Sequence, residues 1–105
     1  MESGELERIK QLLQPLFVRA GVIKAVVFGS LATGKGSKRS DLDLMIVKDT
    51  DRRFFDRYEE FCSVNDVVRD RAVEMLIYTP RELERISHRP FIKRILKEGI
   101  LLYEH

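Results

Sequence analysis

Cysteine is nearly absent from this chain. The single thiol, Cys62, cannot close an internal disulfide, so the fold must be held by packing, and a reducing, cytoplasmic compartment fits. Long apolar runs are missing too. None approaches the roughly 20 residues needed to span a bilayer, so no membrane role is expected. The first residues, Met1-Glu2-Ser3-Gly4-Glu5, are acidic and lack the apolar stretch of a secretory signal. There is little excess charge: 19 Lys and Arg against 17 Asp and Glu leave a net charge of +2, too small to imply a nucleic-acid ligand by itself. Asn and Gln are scarce beside Glu, Lys and Arg, a balance that resembles heat-adapted proteomes. No repeat, linker or low-complexity segment interrupts the chain.

What is present suffices for one domain over residues 1–105, with a hydrophobic share of 44% for the core and a charged share of 34% for the surface. Ser3 can cap a helix from Gly4 to Arg19, along which Leu6, Ile9, Leu13, Leu16 and Phe17 recur at helical spacing. Gly21 supplies the stop, and Pro15 is expected to kink or shorten it. Val22 to Phe28 is β-branched and apolar almost throughout, as a strand covered on both faces would be. A short turn at Gly29-Ser30 and a polar loop, Thr33 to Ser40, lead to a strand from Asp41 to Val47. There Asp41, Asp43 and Met45 share one face, and Leu42, Leu44 and Ile46 the other. Asp49-Thr50-Asp51 looks like a cap for a helix whose apolar stripe is Phe54, Phe55, Tyr58, Phe61 and Cys62. Cys62 is thus expected in the core rather than as a nucleophile. Ala72 to Thr79 forms a third strand. Pro80 and Pro90 each open a helix, Gly99 closes the second, and Ile100 to Tyr103 reads as a short edge strand. The fold class is α/β (α+β): helices packed on a small mixed sheet of about four strands.

The chemistry concentrates in one pattern. Gly29-Ser30 is followed by ten residues and then Asp41-Leu42-Asp43. A glycine directly after a strand lets the backbone turn tightly and approach a ligand without a Cβ in the way. Ser30 offers a hydroxyl, and backbone N–H groups at such a turn suit a phosphate. Asp41 and Asp43, two apart on a strand, leave the same face about 6.6–6.8 Å apart. Carboxylates so placed repel unless a cation lies between them. Mg²⁺ is the natural candidate, because it takes a few carboxylates together with phosphate oxygens. Glu74 stands inside an otherwise apolar strand. A buried, uncompensated carboxylate is costly, so it calls for a metal or basic partner unless the strand is an edge facing water.

The line Gly29-Ser30-Leu31-Ala32-Thr33-Gly34…Ser40-Asp41-Leu42-Asp43-Leu44 resembles the nucleotidyltransferase superfamily of the DNA polymerase β type, and within it the minimal nucleotidyltransferases. The resemblance covers most of the chain, because the family has a later strand with a third carboxylate, where Glu74 stands. It implies a nucleotidyltransferase-type domain with Asp41, Asp43 and Glu74 as catalytic residues and as ligands of two Mg²⁺ ions. Gly29, Ser30, Ser40, Lys38 and Arg39 would bind the nucleotide, a nucleoside triphosphate such as ATP. Two departures stand out. The third carboxylate, often Asp, is here Glu. The common arginine before Gly34 is Thr33, whose place Lys35, Lys38 or Arg39 could take.

Small proteins of this type resemble antitoxins encoded beside HEPN-type toxins. The resemblance implies Mg-dependent transfer of a nucleotide monophosphate to a hydroxyl of an all-helical HEPN-type partner, for instance a tyrosine. The alternative is a nucleotide- and metal-binding module that neutralises a partner by contact alone. An aminoglycoside-like acceptor would need a further domain that is not seen here. The spacing of Arg81 and His88 matches the Arg-x₆-His of HEPN ribonucleases, but the surrounding chain is α/β. Apolar residues near the C-terminus are compatible with a homo-oligomer.

Overall fold

Strand β1 (Lys24–Phe28) buries both faces, as its apolar run requires: Ala25 and Val27 enter one core cluster, Val26 the other. The structure is a computed structural model that describes residues 3–36 and 40–105. Helix α1 (Ser3–Ala20) precedes β1 and continues through Pro15, so that proline does not shorten it. Gly21 then takes φ +71°, the left-handed value that a helix stop needs. After β1 come a 3-10 turn (Gly29–Leu31), strand β2 (Leu42–Val47), a second 3-10 turn (Phe54–Arg57), and short helices α2 (Tyr58–Phe61) and α3 (Ser63–Val67). Strand β3 (Val73–Tyr78), helices α4 (Pro80–Ile86) and α5 (Pro90–Glu98), and strand β4 (Ile100–Glu104) complete the chain.

The four strands form one mixed sheet in the order β3-β2-β1-β4. β1 is antiparallel to β2 and β4, whereas β2 and β3 run parallel. Side chains alternate across the sheet, so each strand feeds two cores. On one face Leu42, Leu44 and Ile46 of β2 join Ile9, Leu13 and Phe17 of α1 with Phe61 and Val64. On the other, Met45 and Val47 join Val26 and Ile92 and Ile95 of α5, with Leu83 and Ile86 of α4 alongside. Among the described residues no helix is long and apolar enough to cross a membrane.

Gly99 ends α5, yet its φ of −66° is ordinary. Glycine is needed there for space: a Cβ would collide with the Ile95 carbonyl oxygen and with Val26 Cγ1. α4 starts on a capping box, with Thr79 Oγ1 accepting from the Glu82 N–H and Glu82 Oε1 accepting from the Thr79 N–H.

The segment after Asp51 differs from its periodicity. The expected single helix is a 3-10 turn followed by two short helices. With three residues per turn instead of 3.6, the 3-10 stretch rotates the apolar stripe out of register. Phe61 stays in the core, but Phe55 is 82% exposed and Cys62 is exposed at the junction of α2 and α3, where its Sγ donates to the Glu59 carbonyl. The inward place goes to Arg57. Its guanidinium donates to the Arg52 and Ile77 carbonyls and makes a two-pronged pair with Glu82 at 2.6 and 3.0 Å.

Arg57 holds the Glu82 carboxyl down from 4.5 to about 2. The folded-state value is below the unfolded one, so this contribution to stability is present above about 4.5 and is lost as pH falls toward 2. Chemical denaturation of Arg57→Met is expected to show a loss of about 2 kcal/mol, because the hydrogen bonds of the buried guanidinium to Glu82 and two carbonyls are removed. Glu82→Gln should flatten the acid limb of the stability curve. Wild-type stability with Arg57→Met would contradict the pairing.

Candidate active site

The ladder brings three residues into one row across the sheet. Phe28 pairs with Asp43 between β1 and β2, and Asp43 pairs with Glu74 between β2 and β3. Asp43 shares its face with Met45 and Val47, and Glu74 shares its face with Leu76 and Tyr78, so both carboxylates stand on the face that α4 and α5 cover further along. Asp41 lies one residue before β2, on the same face by alternation, and is exposed. Glu74 is exposed as well, on an edge strand, but its carboxyl is hydrogen-bonded to Asp43.

Asp43 carries the electrostatic load. Partial burial, the neighbouring Glu74 charge, the hydrogen bond to Glu74 and the Asp41 charge together push its carboxyl from 3.8 up to about 6. Asp43 therefore holds its proton into weakly acidic solution. Gly29, next to Phe28, has φ +77°, and a Cβ there would overlap Asp43 Oδ2. The missing side chain is thus required twice, by backbone conformation and by the carboxylate lying against it. The turn that follows closes on itself. The Gly29 carbonyl accepts from the Ala32 and Thr33 N–H groups, and the Ser30 carbonyl accepts from the Lys35 N–H and the Thr33 hydroxyl.

The start of β2 is fixed from behind. The Leu42 N–H donates to the Ala72 carbonyl at 2.8 Å. Arg71, with its side chain only 3% exposed, donates from Nη1 to the Ser40 carbonyl and from Nη2 to Glu5 of α1. Sequence reasoning missed Arg71, since an arginine before a strand carries no pattern. It missed Arg57 for the opposite reason, because apolar periodicity hides a buried cation.

The structure thus gathers Gly29, Asp43 and Glu74 at one end of the β1-β2-β3 ladder, with Ser30, Ser40 and Asp41 in the adjoining segments. Lys38 and Arg39 lie outside the described residues. Among the described residues no three Asp, Glu, His or Cys side chains converge in a form that could hold a metal ion together. Asp43 instead interacts with Asp41 and Glu74 severally. The donor set is all oxygen, which fits a hard cation such as Mg²⁺, and the strain on Asp43 is of the kind that a cation relieves.

A small mixed sheet with paired acids beside a strand-Gly-Ser turn is the arrangement expected of a nucleotidyltransferase domain. The family described as "Polymerase beta, Nucleotidyltransferase" matches residues 7–105, and the chain belongs to it. It is similar to the "Putative protein adenylyltransferase MJ0604" of Methanocaldococcus jannaschii, 27% identical over 102 residues that span 95% of this chain and 99% of that one. Among solved structures, a "putative minimal nucleotidyltransferase" superposes with TM-score 0.67 at 24% identity, covering 95% of each chain. A complex of a tri-AMPylated Shewanella oneidensis HEPN toxin with an MNT antitoxin superposes with TM-score 0.60 at 12% identity, covering 95% of this chain and 73% of that one. These two structures share the fold.

Two outcomes are expected. With divalent cations removed, Asp43 has a folded-state value above its unfolded one. Its contribution to stability is therefore full below about 3.8 and is lost as pH rises through about 6. A carboxyl NMR titration should place the Asp43 midpoint near 6, and in Asp43→Asn the melting temperature should lose that part of its pH dependence. An Asp43 midpoint at 3.8 would refute the coupling. Gly29→Ala should lower the melting temperature and displace the Asp43 carboxylate. A variant crystal structure with Asp43 unmoved would contradict that reading.

Proposed function

We propose that this chain is a Mg²⁺-dependent protein adenylyltransferase that moves AMP from ATP to a hydroxyl, such as a tyrosine, of an all-helical HEPN-type partner, and so acts as an antitoxin in the cytoplasm. The observation that carries the proposal is the Asp43–Glu74 pair, with Asp43 pressed against the Gly29 turn, in a chain of this family. The nature of the acceptor draws on what the relatives are: one is described as a protein adenylyltransferase, another is complexed with an AMPylated toxin.

Asp41, Asp43 and Glu74 would hold two Mg²⁺ ions. When bound, the ions would activate the acceptor hydroxyl and offset the charge that develops on the departing pyrophosphate. Gly29 and Ser30 would carry the triphosphate on the turn, and Ser40, Lys38 and Arg39 would also bind the nucleotide. The acceptor oxygen would bond to the α-phosphorus as the bond to the β-phosphate bridge breaks, and Glu74 would take the hydroxyl proton. Asp43 must be ionised to act as a ligand. Turnover without saturating Mg²⁺ should therefore rise with pH through about 6.

The alternative is contact-only neutralisation with metal and nucleotide bound but not turned over. Incubation with α-labelled ATP, Mg²⁺ and the partner distinguishes the two. Label on the partner, abolished in Asp41→Asn/Asp43→Asn, is the expected result. Undiminished labelling by the double variant would refute the site. A complex that forms without label, as tightly in the double variant, would establish contact-only neutralisation.

A further inference from the structure

Phe91, in the first turn of α5, is 55% exposed although it belongs to a helix that buries Ile92 and Ile95 on the sheet. A lone exposed apolar side chain is ordinary. Phe91 is not alone: its ring meets that of Phe28 edge-to-face, with centroids 5.8 Å apart and planes at 85°. Phe28 is in turn the direct ladder partner of Asp43, on the same face. Side chains directly opposite on antiparallel strands have Cβ atoms about 4.5–5.5 Å apart. One half-buried ring therefore links the carboxylate to an open ring, on the face where a triphosphate held by Asp43 and the Gly29 turn would lie.

Position separates Phe91 from the chain's other open ring. Phe55 is 82% exposed, but it meets Phe54 edge-to-face, and Phe54 touches Tyr78. Tyr78 pairs with Val47, at the far end of the β2–β3 ladder from Asp43. Phe91 is the exposed ring at the carboxylate end.

The geometry points to Phe91, backed by Phe28, as the stacking platform for the base of the bound nucleotide. The assignment rests on the nucleotide-binding part of the function proposed above. Every nucleobase offers a π-face, so the platform grips the ring without reading its hydrogen-bonding edge, and adenine and guanine nucleotides should bind with similar strength. Phe28 holds the platform at a fixed distance from the carboxylates, and the ring, being rigid, loses little freedom on binding.

The test uses two ligands that share the polyphosphate and differ in the base. Calorimetry with Mg²⁺ measures ATP and inorganic tripolyphosphate binding to the wild type, Phe91→Ala and Phe91→Tyr. Phe91→Ala should weaken ATP roughly tenfold and leave tripolyphosphate unchanged, and Phe91→Tyr should keep ATP affinity within about twofold. Equal weakening of both ligands, or unchanged ATP affinity in Phe91→Ala, would overturn the platform while leaving the nucleotide site intact. Unchanged ATP affinity with a raised KM for the protein acceptor would also overturn it, and would give the ring to the acceptor instead. Failure of the wild type to bind either ligand would overturn the nucleotide site itself, and the platform with it.

Discussion

Two carboxylates facing each other across neighbouring strands are the constraint on which the rest of this site depends. Parallel pairing sets Asp43 opposite Glu74, and a shift of one residue would turn every side chain of β2 to the other face. That shift is prevented by the core, because Leu42, Leu44 and Ile46 are fully buried on the α1 side. Burial of three large apolar side chains contributes several kcal/mol, enough to hold the two carboxylates side by side. The fold thus imposes an arrangement that two free carboxylates would avoid.

Other features keep that arrangement from relaxing. Gly29 leaves room for the Asp43 carboxylate where any other residue would fill it. Arg71 ties the Ser40 carbonyl, one residue before Asp41, to Glu5 on α1, so the first helix braces the loop that leads into the acidic strand. At the opposite end of β3, Arg57 links the Ile77 carbonyl to Glu82 at the start of α4. The two arginines are buried or nearly buried cations fixing backbone near a strand end, where a sheet would otherwise fray.

The fold was legible wherever hydrophobic period and turn chemistry agreed. The apolar run of β1, the alternation of Asp41 to Val47 and the glycine stop after α1 all appear in the structure. The Gly29-Ser30 turn and Asp43 were legible because a left-handed glycine after a strand and an acid on its neighbour are local features. Their meeting with Glu74 required the register between β2 and β3, which no local pattern encodes. The segment from Phe54 to Cys62 misled because periodicity assumes 3.6 residues per turn, and a 3-10 stretch breaks that assumption. Arg57 and Arg71 were silent because a charge written in a sequence does not reveal that its partners lie 25 or 66 residues away. Gly99 does stop α5, as its place in the sequence suggests, but the closeness of Val26 and of the Ile95 carbonyl, which excludes any side chain there, is a tertiary feature that no local pattern carries.

The central claim, that the row from Gly29 to Glu74 is a metal-dependent nucleotide site, is tested most directly by calorimetry of ATP binding near pH 6. The titration is run with and without Mg²⁺, in buffers of different protonation enthalpy. Binding should require Mg²⁺ and release protons, because Asp43, whose carboxyl is raised to about 6, must give up its proton to bind the ion. ATP affinity that is the same with and without Mg²⁺, and no proton release, would contradict it.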